Sequence, residues 1–569
     1  MIELTRLTNP THTSTKPRSQ WLLWLGLSLL ISAIYGWITI DKAYEPYIIQ
    51  DDARHYVYWM RRLVDAELFP NDLIADYFNP WLRGDTRRCF GCLPSWALTR
   101  SPLSAFPLGL GLVTSAYCFA VSWQILPVPI AGFLSTLLMN QTLWAHDDTA
   151  SATPRAFLNP LFLAFLYYLL RRQLIPCIIA IALLGLFYPQ YVLYGSGVLV
   201  LRLLIWDNGR LRLTRQRQDY WFVGVALAVA AVVLGIFALD TSQYGPIISL
   251  EQARQMPEFY KDGRSEFFQD SAWEYWVSGD RTGILPTQRV PIAWVSLLLP
   301  LLLRFRQRFP LAQRVTDNGA ILLQLTLVAF GLFFAAHAVL FKLYLPSRYT
   351  THSLRIVLAI AAGVTLTILL DAALRWLMGQ SNLKKNLGLG AIALLSALIL
   401  LYPNFTQDFP RGNYEEGKAP ELYQFLAQQP KETLVASLTD EANFIPIFAQ
   451  RSTFVGEEYA IPYHVGYYSQ FHQRVENLIA AHYTADLSVL QDFIQTNGVD
   501  FFVVAPNTFK PNWIVRNSWL MQFQPGIGEA VDRLKQRQRP ALARLINRCS
   551  VLEPQGLRVV AADCILQSR

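Results

Sequence analysis

The stretch Trp21-Leu-Leu-Trp-Leu-Gly-Leu-Ser-Leu-Leu-Ile-Ser-Ala-Ile-Tyr-Gly-Trp-Ile-Thr-Ile40 decides the class of this protein. It is about 20 residues long and carries no charge, which is what an α-helix needs to cross roughly 30 Å of hydrocarbon. A basic leader (Arg6, Lys16, Arg18) precedes it, no small-residue cleavage site follows it, and it exceeds the length of a signal-peptide core. The run is therefore read as a retained first membrane span. The rest of the chain agrees: of 569 residues, 53% are hydrophobic and only 16% are charged, whereas a soluble domain carries about 25% charged residues. A secreted or cytosolic globule is excluded. The net charge of +8 then reads as cytoplasmic loop charge rather than a nucleic-acid footprint.

Working outward from that run, apolar segments fall at 21–40, 103–121, 125–143, 156–172, 174–187, 191–206, 220–239, 291–305, 319–341, 354–374 and 386–402. About 11 spans are expected. With the N-terminus in the cytoplasm, alternate loops carry the arginines and lysines: Arg171 and Arg172; Arg210, Arg212, Arg215 and Arg217; Arg304, Arg306, Arg308 and Arg314; Lys384 and Lys385. The short outer loops 144–155, 188–190 and 342–353 carry few, as the positive-inside rule requires. Long segments at 41–102, at 240–290 and after Tyr402 lie on the outer side. The expected domains are a cytoplasmic leader (1–20), a transmembrane module (21–402) with two large outer loops, and an extracytoplasmic α/β domain (403–569). In that last domain, helix-like stretches (421–428, 472–483, 487–496) alternate with apolar strand candidates (433–437, 500–504, 557–561).

Cys118 and Cys177 fall within spans as small apolar fillers. Cys89, Cys92, Cys549 and Cys564 fall on the oxidising side, where disulfides persist. A single Cys89-Phe-Gly-Cys92 spacing without a second pair reads as a structural disulfide or inert thiols before it reads as a metal or redox motif. Tyr188-Pro189-Gln190 and Gly195-Ser196-Gly197 read as a turn and a close helix contact. Glu258, Glu266 and Asp270 read as a solvated helix face.

Three polar clusters on the outer side can carry chemistry. The first is Gln50-Asp51-Asp52-Ala53-Arg54-His55-Tyr56. Adjacent carboxylates repel, which raises the pKa of one of them, and a carboxylate at the membrane rim suits a general base that takes a proton from a hydroxyl. Residues 53–69 read as an amphipathic helix on the membrane surface, with Val57, Met60, Leu63, Val64 and Leu68 on its apolar side; in that setting Asp51 or Asp52 is also a helix N-cap. The second cluster, His146-Asp147-Asp148-Thr149 followed by Arg155, occupies the loop after the third span. The third is Leu345-Pro346-Ser347-Arg348-Tyr349, whose guanidinium fork matches phosphate oxygens and alternatively snorkels to the interface.

This plan resembles the GT-C superfamily of glycosyltransferases that use polyprenyl-phosphate sugars, which includes protein mannosyltransferases, lipid A aminoarabinose transferases and oligosaccharyltransferase catalytic subunits. Asp51 and Asp52 match the acidic motif of the first outer loop, His146 to Asp148 resemble the second acidic loop, and Arg348 resembles a late-loop arginine on the donor phosphate. The resemblance implies an all-α polytopic membrane bundle, GT-C-like, with a C-terminal extracytoplasmic α/β domain. It also implies Asp51 and Asp52 as catalytic residues, with His55, His146, Asp147, Asp148, Arg155, Arg348 and Tyr349 binding substrate. The implied partners are a polyprenyl-phosphate-sugar donor, an extracytoplasmic lipid, glycan or protein acceptor, and membrane lipids, with no nucleic acid and a bacterial plasma membrane as the location. The implied reaction inverts the anomeric carbon. The Trp-Trp-Asp signature of oligosaccharyltransferases is absent, and Trp273-Glu-Tyr-Trp276 does not replace it, which argues against transfer to peptide asparagine. No cofactor is fixed by the sequence; a divalent cation on the carboxylates and His146 is left open. A multi-span transporter and a lipid-linked glycan polymerase or ligase are the alternative readings, and a structural or sensory membrane protein is a third.

Overall fold

A computed structural model describes residues 17–79, 100–151, 153–207, 210–239, 244–287 and 289–569. Cys89 and Cys92 lie outside the described residues. The chain divides into two compact units, each assembled from three stretches of sequence: 1–44, 101–240 and 276–413 in the first, and 45–100, 241–275 and 414–569 in the second.

The first unit is helical. Its helices are α1 (Pro17–Ala43), α2 (Arg100–Ile125), α3 (Pro129–Trp144), α4 (Leu158–Leu170), α5 (Leu174–Phe187), α6 (Gln190–Arg202), α7 (Arg217–Leu239), α8 (Leu299–Arg304, preceded by a 3-10 turn from Pro291), α9 (Ala320–Ala338), α10 (Ser347–Met378) and α11 (Asn382–Leu401). Each of the eleven apolar runs thus contains a helix, although the run 191–206 leaves it at Arg202 and enters a strand at Leu204. Among the described residues, six helices are long and apolar enough to cross a membrane. The 13 residues of α4 rise only about 20 Å.

Helix α10 is the hub of this unit. It packs on α3, α8, α9 and α11, and most of its side chains are buried, whereas no residue of α11 is buried. Several of its hydroxyls are satisfied within the helix: Ser353 donates to the Tyr349 carbonyl, Thr365 to Ala361 and Thr367 to Gly363, so these hydroxyls enter an apolar core without being orphaned. Close approach of α10 to α3 rests on Gly363, where a Cβ would lie 2.3 Å from the Ser135 backbone nitrogen. Small residues at such crossings let helix backbones meet.

The two ends of the helical unit differ in charge. At one end, the turns after α4, α6 and α8 carry basic residues, and the segments there are tied together, with Arg172 on Gln216 and Asp219, Arg202 on Asn318, and Thr316 on the Gln124 carbonyl. An antiparallel hairpin of β2 (Leu204–Asp207) and β3 (Arg210–Leu213) lies there as well. At the other end, Arg411 N–H donates to the Trp144 carbonyl and Tyr402 to that of Arg289. The candidate residues of the second and third clusters sit at this second end.

The second unit is α/β. Its sheet has the order β6-β5-β7-β9-β8, with β5 (Leu434–Ser437) parallel to β6 (Ser452–Thr453) and β7 (Phe501–Val504), and β9 (Arg558–Ala561) antiparallel to β7 and to β8 (Ser550–Leu552). The three strand candidates of the sequence correspond to β5, β7 and β9. Gly498, at φ +64°, ends the helix Leu487–Asn497 in the left-handed conformation that glycine tolerates best and turns the chain into β7. Cys549 and Cys564 form a disulfide.

Residues 45–79 and 244–275 of the two long loops fold into this unit rather than standing free. Strand β1 (Ile48–Gln50) pairs with β4 (Tyr414–Glu416). Tyr77 stacks on Tyr467 at 3.6 Å and its hydroxyl meets His464 Nδ1 at 2.9 Å. The amphipathic surface helix expected over 53–69 does not form. A one-turn helix, Ala53–Tyr56, gives way to a 3-10 helix, Tyr58–Leu63. Tyr58, Trp59 and Met60 enter the core of the unit while Leu63 and Val64 are exposed. The cause is packing: consecutive large aromatics are buried, which one stripe of an α-helix cannot do. Glu258 departs from the solvated face expected of it as well, being buried against the Tyr468 hydroxyl.

Replacing Gly363 by Ala should lower the melting temperature of the detergent-solubilised protein by the equivalent of about 1–3 kcal/mol. Gly331→Ala, at a position with no neighbour within 4 Å, should leave it unchanged. Differential scanning of the two variants checks this. Replacing both Cys549 and Cys564 by Ser should destabilise the α/β unit by about 3 kcal/mol, the loop-closure value for a cross-link of this span, read from its denaturant midpoint.

Candidate functional site

In the first unit, the turn after α3 and the start of α10 bring the second and third clusters together. Asp148 is buried. Its carboxylate receives Arg355 Nη1 at 2.7 Å, with His352 Nδ1 at 3.6 Å and Arg155 Nε at 3.7 Å. Asp147 takes Arg155 Nη2 at 3.0 Å. His146 Nδ1 lies 3.4 Å from Arg355 Nη2. Burial by itself would raise the Asp148 carboxyl, but His352, Arg355 and Arg155 outweigh it and hold the group well below the ordinary carboxylate range. Burial, reinforced by Arg355, pushes His146 down to about 3, so its imidazole is neutral at physiological pH.

Arg348 opens α10 beside the loop of residues 279–290. Ser347 Oγ donates to the Asp280 carbonyl at 2.7 Å, and the half-buried Arg348 faces the Asp280 carboxylate. That carboxyl, raised by burial, is brought below its usual range by Arg348, Arg281, Arg355 and Arg155. Arg289 joins from the same loop and faces Asp147, Asp408 and Arg411. Among the described residues, guanidiniums at 155, 281, 289, 348, 355 and 411 thus share this end with carboxylates at 147, 148, 280 and 408, six positive groups to four negative ones. Two buried imidazole nitrogens, His146 Nε2 and His352 Nε2, find no hydrogen-bond partner among the described residues. An arrangement of this kind suits a polyanion bearing several acceptor oxygens, such as a phosphate.

Tyr349 lies apart from this cluster: its hydroxyl donates to the Leu343 carbonyl at 2.8 Å and its ring sits in the helical core. Sequence reading missed His352, Arg355 and Asp280. The first two were open to detection, because Arg348, His352 and Arg355 stand at i, i+4 and i+7, one face of a helix, in a run otherwise apolar.

Asp51, Asp52 and His55 belong to the second unit. Asp52 occupies the N-cap position of Ala53–Tyr56 but makes no capping side-chain bond; that role is filled elsewhere by Asp72, which accepts from Ile74 and Ala75. Asp51 pairs with Arg54, and Arg54 Nη2 continues to Glu458 Oε2 at 2.8 Å. Glu458 Oε1 also receives Arg264 Nη2 at 2.6 Å, and His55 Nδ1 lies 2.9 Å from it. The Asp51 carboxyl is raised above its ordinary value, by burial first and by the Glu458 charge next, with Arg54 opposing. Glu458 moves the other way: burial opposes its ionisation, but Arg264, His55 and Arg54 hold it at about 2.

Among the described residues, no group of three or more His, Cys, Asp or Glu side chains is arranged to hold a metal ion. Asp148 and Glu458, the most buried carboxylates of the two clusters, spend their oxygens on guanidinium and imidazole groups, so the donor sets fit ion pairs rather than a cation cage.

No protein-family model matches the chain, and no curated protein matches it. Solved structures do. The apo form of the oligosaccharyltransferase of Archaeoglobus fulgidus aligns over 89% of this chain and 72% of its own, with a TM-score of 0.52 and 13% identity. The same enzyme tethered to an acceptor peptide containing the NVT sequon aligns over 90% and 72%, at a TM-score of 0.48 and 12% identity. As AglB, in complex with an inhibitory peptide and a dolichol-phosphate, it aligns over 90% and 72%, at 0.47 and 13%. The first of these likenesses extends over both units of the chain, and at this identity it is a likeness of fold. The protein has a GT-C, oligosaccharyltransferase-like fold.

Proposed function

We propose that this protein is a membrane glycosyltransferase that moves a sugar from a polyprenyl-phosphate-linked donor to an acceptor hydroxyl on the extracytoplasmic side, inverting the anomeric carbon. The observation that carries the reading is the cluster of guanidinium groups, Arg155, Arg348 and Arg355 foremost, at one end of an apolar bundle. Charge at membrane depth is costly and marks function, and a lipid-linked phosphate brings negative charge to that depth.

The chemistry follows from charge placement. The bond between the anomeric carbon and the phosphate oxygen breaks, and its electron pair stays on the phosphate, where the guanidiniums stabilise the growing charge. The acceptor oxygen attacks the opposite face of the anomeric carbon, and its proton passes to a carboxylate. Asp51 is assigned that proton, with Asp52 beside it; a carboxyl whose pKa is raised is a stronger base than an ordinary aspartate. Asp147 and Asp148 hold Arg155 and Arg355, and His146 and His352 offer Nε2 atoms to the donor head group.

Orientation follows the loop charges. The turns after α4, α6 and α8, with Arg171, Arg172, Arg210, Arg212, Arg215, Arg306, Arg308 and Arg314, lie at the end of the helical unit away from Asp148, which supports a cytoplasmic N-terminus and an outer position for the Arg348 end. The disulfide between Cys549 and Cys564 suits an oxidising compartment for the α/β unit.

Arg348→Gln and Arg355→Gln should each lower transfer from a polyprenyl-phosphate sugar about 10²–10³-fold, the cost of removing one donor to a developing anion. Asp51→Asn should reduce it at least as far while leaving donor binding intact. Transfer assays on purified variants in nanodiscs check both. An Asp51→Asn/Asp52→Asn protein, folded and inserted, that transfers sugar as well as the parent refutes the reading.

A further inference from the structure

Four segments of the second unit meet around one carboxylate. Glu458, in the turn Glu457–Tyr459, is buried and lies 404 positions from Arg54 along the chain. It meets Arg54 and His55 from the first long loop and Arg264 from the second. Its backbone N–H donates to Asn443 Oδ1 at 3.0 Å, which fixes the turn against the segment after β5. Arg54 and His55 are buried as well. Asp51 is the member that stays open, with 30% of its side chain exposed, and it reaches the network through Arg54.

We propose that Glu458 is a positioning residue: it holds Arg54 so that the guanidinium orients Asp51, and its charge, set against that of Arg264, adjusts how strongly Asp51 holds a proton. The inference rests on Asp51 being the base of the proposed reaction. Three geometric features support it. Arg54 bridges the two carboxylates with one nitrogen, so moving Glu458 moves the group that fixes Asp51. Glu458 is saturated by three cationic or imidazole partners and has no oxygen left for a substrate. The three partners come from two loops that are otherwise far apart in sequence, so the acidic motif of residues 51–52 is held in place by the terminal segment.

The charged groups facing Asp51 are Asp52 and Arg54 on its own segment, Glu458 from the terminal segment and Arg264 from the second loop; Glu457 and Asp440 stand behind Glu458. Glu458 and Asp52 raise the Asp51 carboxyl, and Arg54 lowers it. Arg264 couples to both Asp51 and Glu458.

The sign of each change therefore differs between variants. Glu458→Gln keeps the shape and removes the negative charge, so Asp51 should titrate lower by roughly 1 pH unit or more. Arg264→Gln removes a positive charge, so Asp51 should titrate higher by a similar amount. A purely structural role would not produce opposite shifts.

The test is an infrared difference titration of the carboxyl band of the full chain in nanodiscs, with Asp51→Asn as the subtraction that identifies the band. It needs neither donor nor acceptor. Opposite displacements for Glu458→Gln and Arg264→Gln are expected, with Glu458→Asp restoring most of the parent value. Should Glu458→Gln fail to fold, the upward shift in Arg264→Gln decides alone. Displacements of the same sign, or none, overturn the inference. Transfer activity is measured in parallel on the parent and Asp51→Asn. An active Asp51→Asn overturns the assignment of the base, whatever the titration shows, whereas an inactive Asp51→Asn with an unmoved band overturns the role of Glu458 alone.

Discussion

Guanidinium groups inside an apolar bundle are the constraint on which the rest of this molecule depends. Taking an arginine out of water costs several kcal/mol unless carboxylates or carbonyls compensate. Among the described residues the bundle meets that demand with Asp147, Asp148 and Asp280. Six guanidiniums stand there with four described carboxylates. That set of charges, with two imidazole nitrogens beside it that find no partner among the described residues, is what a membrane-embedded phosphate would complete. The helix that carries Arg348, His352 and Arg355 is also the helix around which the others pack, so the site stands on the most rigid element of its unit.

The α/β unit follows a different logic. Its sheet and disulfide make a stable frame, and its loops are drawn in from distant parts of the chain by buried contacts: Tyr77 on Tyr467, β1 on β4, Arg54 and Arg264 on Glu458. A carboxylate held at about 2 by three partners stays charged at any physiological pH, which makes it a fixed electrostatic reference rather than a titrating group. Asp51 is raised beside it and remains half open. Two carboxylates whose environments push them apart in this way are the pattern expected where one is structural and the other takes a proton.

Much of this was legible in the sequence, and for identifiable reasons. An apolar run that crosses lipid satisfies its backbone groups as a helix or within a closed barrel, and all eleven contain a helix, with the run 191–206 passing from it into β2. Strands β5, β7 and β9 announced themselves as short apolar runs between polar helices. His146 to Asp148 and Arg348 stood out because charge is rare at span edges. What could not be read is equally physical. Glu458 and Arg264 carry no local signal; they matter through contacts across hundreds of residues. Residues 53–69 gave a helical period, yet burial of Tyr58 and Trp59 in succession broke the helix at Val57 and turned Leu63 and Val64 outward. Tyr349 looked like a companion of Arg348, but adjacent positions on a helix face different ways, and its hydroxyl serves the Leu343 carbonyl.

The central claim is that the arginine-rich end of the bundle holds a lipid-linked phosphate. Native mass spectrometry of the purified protein with a polyprenyl phosphate and with the corresponding phosphate-free polyprenol tests it most directly. The account predicts one bound polyprenyl phosphate that the polyprenol does not displace and that disappears in an Arg348→Gln/Arg355→Gln protein. Equal retention of both lipids, or binding of the phosphate lipid that survives loss of both arginines, would contradict it.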